Sequence, residues 1–529
     1  MPASADKIST RAAGIVGLAV LCSRVLGLIR EQVFAGLFEK RLLDIFTVAF
    51  RTPNLLRDLF AEGALSTAFV TVFSRKIATE GDQSAWRLAS KVATLTAVFM
   101  SVLVLIGIVA APLVIKIVAP LFDPEKAALT VWIARVMYPF ILLVSLGALV
   151  MGMLNAKNVF GAPAMASSFF NVGSIVGGVA IGWWLDPSFG PRALTGLAIG
   201  TLIGGALQLA VQLPSLKSVG FSFRPDFQWR DSGIREILRL MGPAVVAASS
   251  VQVNVVINTM FASGLGDGPI FWLQIAFRLM QLPLGIFGVA IGTVTLPVLA
   301  RNIAAGNRGE FRANLAKGMR LALLLTLPSM LGLMLLAEPI MSVLYQHGKF
   351  GADQAREAAG ALRFYGIGLV AYSAMKVLVP AFYALGKRRT PMVVSFIAIG
   401  VNLLLNWLFT FRLGFGHRGL ALSTGCVALI NFAILYVLMR RETRLLDTRL
   451  LVLTLAKLLV PCALLAGICW AANIWFFADW PNQPLGIKAA ALAATIAAAG
   501  AAFFGAAACF RIAEIDDVTA IVRRKLLRR

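Results

Sequence analysis

Three apolar stretches of the chain carry arginine where a membrane helix would ordinarily exclude it. SRVLGLIRE holds Arg24, Arg30 and Glu31, FRTPNLLRDLFAEG holds Arg51, Arg57, Asp58 and Glu62, and WLQIAFRLMQ holds Arg278. An arginine in the middle of a span costs ~2.5 to 3.5 kcal/mol on insertion scales, so such residues face a bundle interior or a wet cavity. Guanidinium groups stay charged at any relevant pH and offer a planar fork of donors, which suits the oxygens of a phosphate or diphosphate. The competing chemistry is internal. Glu31, Asp44, Asp58 and Glu62 could neutralise the arginines as salt bridges, with Arg51 and Asp58 as one such pair. Four carboxylates cannot cancel five arginines, so a residual positive cavity is expected.

Helical spacing puts Arg51, Asn54, Asp58 and Glu62 on one stripe, while Arg57 projects from another side. Pro53 lacks an amide proton and should bend this helix. Arg24 lies near the centre of its apolar stretch and Arg30 six residues on, ~9 Å further along the axis.

Little else in the chain is equipped for chemistry. There are two histidines, His347 and His417, and five cysteines without CxxC spacing, so neither a metal centre nor a Ser-His triad is expected. Asp353 and Glu357, in HGKFGADQAREAA, are the candidates for acid-base work at a membrane face, and a solvated loop explains them more simply. Asn402 and Asn406 could offer oxygens to an ion, but such residues more often join helices. No catalytic residue, metal or bound cofactor is therefore expected.

The elements that must position the arginines follow from composition. Of 529 residues 59% are hydrophobic and 14% charged, with a mean hydropathy of +0.83, too little polar surface to wet a soluble globule. This excludes a soluble enzyme, a disordered scaffold and a disulfide-stapled domain. The fold class is all-α, a polytopic membrane protein with about fourteen spans. The net charge of +24 would suggest nucleic acid in a soluble protein. With the N-terminus inside, however, most Lys and Arg fall on cytoplasmic segments, including Arg75, Lys76, Arg301, Arg308, the run at 387–389 and the RRKLLRR tail. Both termini are thus expected in the cytoplasm, the N-terminus uncleaved, with no nucleic-acid partner.

An internal repeat divides the chain. AFR recurs at Arg51 and Arg278, 227 positions apart, and Arg75 with Arg301 and Pro163 with Pro391 keep that offset to within one residue. The expected organisation is a lobe over 1–220 (spans 1–6), a second over 221–445 (spans 7–12), and spans 13 and 14 with a basic tail over 446–529. Laying the first span on the seventh sets Arg24, Arg30 and Glu31 opposite Val251, Ile257 and Asn258, so these charges belong to one lobe.

SRVLGLIRE, FRTPNLLRDLFAEGALSTAFV, GPAVVAASSVQVNVVINTMFAS and LPLGIFGVAIGTVTLPVLAR resemble signature stretches of the MviN/MurJ family. These are the lipid II flippases of the multidrug/oligosaccharidyl-lipid/polysaccharide exporter superfamily. The similarity covers about residues 8 to 440 well. It implies a fourteen-helix, two-lobed fold and alternating access. The cargo would be undecaprenyl-diphosphate-linked disaccharide-pentapeptide, carried from the cytoplasmic to the periplasmic leaflet of a bacterial inner membrane. Arg24, Arg30, Arg57 and Arg278 match the family's substrate-important arginines, and Asp44 and Glu62 its functional acidic positions. Arg51, Glu31 and Asp58 are expected to support the cavity or its gating. Where the family often flanks the span-8 arginine with acids, this chain has Phe277 and Gln281, which makes its cavity more positive.

By the same resemblance, spans 13 and 14 form a groove for the polyprenyl tail. Expected partners are the precursor, the bilayer and cell-wall synthesis proteins, for a monomeric chain. Spans 10 to 12 hold no interior carboxylate for a sodium or proton site, so the membrane potential is the expected driving force. A drug exporter of the same superfamily fits less well, because the sequence shows a cationic chamber and no central aromatic cage. A membrane-embedded glycosyltransferase would need a base on a sizeable loop.

Overall fold

The computed structural model describes residues 10–59, 65–443, 446, 448–477, 483–510, 512 and 514–515. Glu62 and the RRKLLRR tail lie outside them. The described residues are helical apart from short connections and one isolated bridge, His347 to Phe350. Eleven helical segments among them are long and apolar enough to cross a membrane, which makes this a multi-pass membrane protein. Helices over the other three expected spans complete the series.

The first compact unit is Met1–Ile270. Its helices are α1 (Thr10–Leu37), α2 (Lys40–Leu56), α3 (Ser66–Glu80), α4 (Asp82–Val118), α5 (Pro124–Met137), α6 (Phe140–Ala156), α7 (Gly161–Leu185), α8 (Ala193–Ala210), α9 (Leu213–Ser218) and α10 (Ser232–Ala262). Phe69 and Phe73 of α3, Leu88 of α4, Met153 of α6 and Ile237 of α10 share one buried cluster. The tightest pair is α7 with α8. A methyl group on Gly204 would lie 2.5 Å from the Phe170 carbonyl oxygen, so only a residue without Cβ allows the two backbones this close. Lipid tails offer no hydrophobic driving force between helices, and van der Waals contact of this kind does the holding. Outward faces are apolar, as Leu105, Val109 and Leu113 of α4 illustrate.

The second unit is Phe271–Arg529. It contains α11 (Pro269–Pro283, which enters from the first unit), α12 (Val289–Ala304), α13 (Arg308–Leu335), α14 (Ala337–Tyr345), α15 (Ala352–Ala384), α16 (Arg389–Trp407), α17 (Gly416–Thr443), α18 (Thr448–Trp475) and α19 (Leu485–Cys509). One buried cluster joins α12, α13, α15 and α17, and a second joins α13, α18 and α19. Asn406 donates to Asn402 at 3.1 Å and accepts from Ser423 of α17, so both asparagine oxygens already have donors. They join helices.

The repeat survives in a local feature that hydropathy does not carry. Six residues after Arg51 the α-helix passes into π-type turns at 57–59, and six residues after Arg278 it does so again at Leu284–Gly288. Each transition follows a proline inside the helix, Pro53 or Pro283, whose ring removes one backbone donor. The expected stripe of Arg51, Asn54, Asp58 and Glu62 assumed uninterrupted α-helical register. That register ends at Leu56.

Candidate functional site: a polar seam on α1, α2 and α10

Arg51 donates to the hydroxyl of Thr259 on α10, which in turn donates to the Val255 carbonyl at 2.7 Å. Two turns further, Asp58 accepts from Arg57 Nε at 3.1 Å and Nη2 at 2.8 Å through one oxygen. Its other oxygen accepts from Gln252 Nε2 at 3.1 Å. Arg51 and Asp58 are seven residues apart, as are Gln252 and Thr259, so two rungs at matched spacing tie α2 to α10. Asp58 therefore pairs with Arg57 rather than with Arg51. The π-type turn explains the change, because it rotates residues 57 and 58 away from their α-helical positions.

Arg30 packs against aromatic faces, its Cζ 5.0 Å from the Phe170 ring centroid and 5.8 Å from that of Phe50. Phe140 lies between those two rings, 5.7 Å from Phe50 and 5.5 Å from Phe170. An aromatic cluster thus exists where none was expected, and the protein's own cation lies against it. Such contacts leave the in-plane N–H groups of a guanidinium able to meet other partners. Arg24 is exposed on α1 and has no ion-pair partner among the described residues; Glu31 is buried. Arg278 is half-buried on α11 in the second unit.

Asp44 departs from expectation. It is fully buried, and its Oδ2 accepts from the Gly268 amide at 2.7 Å and from Lys126 Nζ at 3.3 Å. Lys126, also buried, donates to Asp267 at 2.8 Å and lies 4.3 Å from the Phe122 ring centroid. Asp44 accordingly answers a lysine. Beside it Arg41 forks onto Asp123 at 2.8 and 2.9 Å. Hydrogen bonds from Arg41, then from the Lys126 amide, hold the Asp123 carboxyl below the usual carboxylate range.

Sequence reasoning missed Gln252, Thr259, Lys126, Phe50 and Phe170. The matched seven-residue spacing was the available signal for the first two. Among the described residues no group of three or more His, Cys, Asp or Glu could hold a metal ion.

A family model described as lipid II flippase MurJ matches residues 34–484. The chain belongs to this family. The matched stretch includes Asp44, Arg51, Arg57, Asp58 and Arg278, while Arg24, Arg30 and Glu31 lie just before it. The lipid II flippase MurJ of Burkholderia cenocepacia is 35% identical over 493 residues, 92% of this chain and 94% of its own. A MurJ relative from Rhizobium tropici is 36% identical over 525 residues, 97% of this chain and 96% of its own. Among solved structures, lipid II flippase MurJ in an inward closed conformation superposes with a TM-score of 0.73 at 24% identity, covering 92% of this chain and 98% of that one. An inward-facing multidrug resistance MATE transporter of the MOP superfamily follows at 0.63 and 16%, covering 82% and 95%. MurJ and MATE proteins share a fold, so the cargo has to be argued from side chains.

Proposed function

We propose that this chain carries lipid II, the undecaprenyl-diphosphate-linked peptidoglycan precursor, from the cytoplasmic to the periplasmic leaflet of a bacterial inner membrane. It does so by alternating access, for cell-wall synthesis, with both termini in the cytoplasm and without catalysing a reaction. The observation that carries this reading is the set of arginines on α1 and α2 of a MurJ-family chain. Arg24 and Arg30 stand on α1, Arg51 on α2 and Arg57 in the π-type turn that follows it, where Asp58 accepts from Arg57. Arg24, Arg30, Arg57 and Arg278 take the diphosphate; Arg51, Asp58 and Glu31 hold the seam's geometry.

The tail of such a cargo needs an apolar path. Along α18 lies a cavity of about 310 Å³ lined by Leu327 of α13 with Leu455, Leu458, Leu459 and Cys462. Another of about 360 Å³, beside Val452, Leu453 and Ala456, opens next to Arg449. These support a polyprenyl groove on 446–529. A cationic drug fits the seam less well, since it would have to displace Arg30 from its aromatic contacts.

The test is a leaflet-resolved assay of precursor with each of the four arginines replaced by lysine. Lysine keeps the charge and loses the fork, and a lost charge-assisted bond corresponds to roughly tenfold to hundredfold weaker binding. Arg135, exposed on α5 and bonded to the Ile108 carbonyl, is the control. Normal flipping by all four lysine variants at normal protein levels would refute the proposal.

A further inference from the structure

A separate cavity of about 700 Å³ lies where α14 and the loop after it meet the start of α15 and the end of α18. Its walls are of two kinds. Met334, Leu335 and Phe477 form an apolar side, whereas Arg356, Arg363 and Glu338 form a charged one. Asn473 donates to the Leu335 carbonyl at 2.9 Å and fixes the end of α18 against α13.

The charged side is loosely paired. Glu338 sits 3.5 Å from Arg356 through one oxygen and 3.6 Å from Arg363 through the other. Charge-assisted hydrogen bonds of this type run ~2.7 to 2.9 Å, so these are loose contacts that leave N–H donors unspent. Arg356 makes a second loose contact, 3.3 Å to the exposed Asp353. The two arginines are seven residues apart on α15, yet both reach one carboxylate. They therefore converge on a point the size of a single phosphate, next to an apolar wall.

We propose that this cavity binds the headgroup of an anionic phospholipid, with its phosphate between Arg356 and Arg363 and the upper part of its acyl chains along Met334, Leu335 and Phe477. Glu338 occupies the phosphate position when the lipid is absent. On the orientation given under Proposed function, the lipid comes from the periplasmic leaflet. The binding itself does not depend on what the arginine seam carries.

The experiment is native mass spectrometry of the full chain titrated with phosphatidylglycerol or phosphatidylcholine. Phosphatidylglycerol should bind the wild type more tightly than phosphatidylcholine, and Arg356→Gln with Arg363→Gln should weaken it by about tenfold or more. Glu338→Gln keeps both arginines, removes their competitor and should tighten it. Unchanged binding in the double variant, or unchanged or weaker binding in Glu338→Gln, overturns the proposal. Should the double variant fail to fold, Glu338→Gln decides alone. An excess of inorganic phosphate should leave the lipid bound; displacement would identify a free-phosphate site and overturn the lipid assignment.

Discussion

Gln252 of α10 donates to the Asp58 carboxylate at 3.1 Å, on the oxygen that Arg57 leaves open. With one oxygen on Arg57 and the other on Gln252, the Asp58 carboxylate is fixed in one orientation toward the guanidinium. We predict that Gln252→Leu, which frees the second oxygen, lowers precursor binding without lowering protein levels. Gln252→Glu should do more damage, because a like charge then faces Asp58. Both groups are partly exposed, so the loss lies near the lower end of the ~1.5 to 3 kcal/mol of a charged hydrogen bond. Equal binding by wild type and both variants, measured on purified protein, would show that the rung does not position Arg57.

Arg30 supplies a second test. Its contacts with Phe170 and Phe50 contribute about 0.5 to 2 kcal/mol, depending on how dry the site is. Phe170→Leu keeps bulk and removes the ring, so binding of the precursor should fall severalfold. Phe170→Trp should restore it, provided the larger ring is accommodated. If leucine and phenylalanine behave alike in a binding assay, the aromatic contact merely fills space.

The helices were legible because a bilayer leaves the chain few options: every backbone group must pair internally, over roughly twenty apolar residues at a time. Arg24, Arg30, Arg51 and Arg57 were legible for the same reason, being costly where they stand. Their partners were not. Thr259 and Gln252 carry no charge and sit in a stretch that reads as one more apolar span. Lys126 lies at a span end, where lysine is ordinary, and only the fold reveals that it is buried against Asp44. The π-type turn at 57–59 shifts register by a fraction of a turn, enough to exchange the roles of Arg57 and Arg51 toward Asp58.

Lys126 and Asp44 are both almost completely buried, and breaking such a pair leaves an uncompensated charge at a cost of ~3 to 5 kcal/mol. Lys126→Met and Asp44→Asn should each lower the thermal midpoint markedly in detergent. The double variant should recover part of the loss, since neither buried charge remains, while the partly exposed Asp267 loses Lys126 and keeps Arg41 at 3.7 Å. Additive losses in this cycle would mean that the two residues are not coupled.

Acid should act on the neighbouring Arg41 and Asp123 contact. The Asp123 carboxyl titrates below its ordinary value of ~3.9, so its stabilising charge is present above that value and lost as pH falls through the lower, folded one. Asp123 is about half exposed, with 47% of its side chain accessible, which limits the effect to at most about 1 kcal/mol. Thermal midpoints of the wild type should drop between about pH 5 and pH 2 by more than those of Arg41→Gln. Parallel curves would remove this pair from the acid response.

The arginine excess on α1 and α2 also bears on the driving force. We predict that, with no diphosphate on these arginines, their positive charge is drawn toward the negative, cytoplasmic side, which favours return of the empty carrier. One elementary charge crossing the full field is worth ~2.3 kcal/mol per 100 mV, and 1.4 kcal/mol already shifts a two-state equilibrium tenfold. Collapsing the potential while retaining the pH gradient should therefore slow multiple-turnover flipping and leave a single loaded turnover much less affected. Arg24→Gln, which removes an exposed charge from α1, should make the remaining activity less sensitive to potential. Flipping that continues at an undiminished rate after the potential is abolished would mean that the seam's charge does not drive the return step.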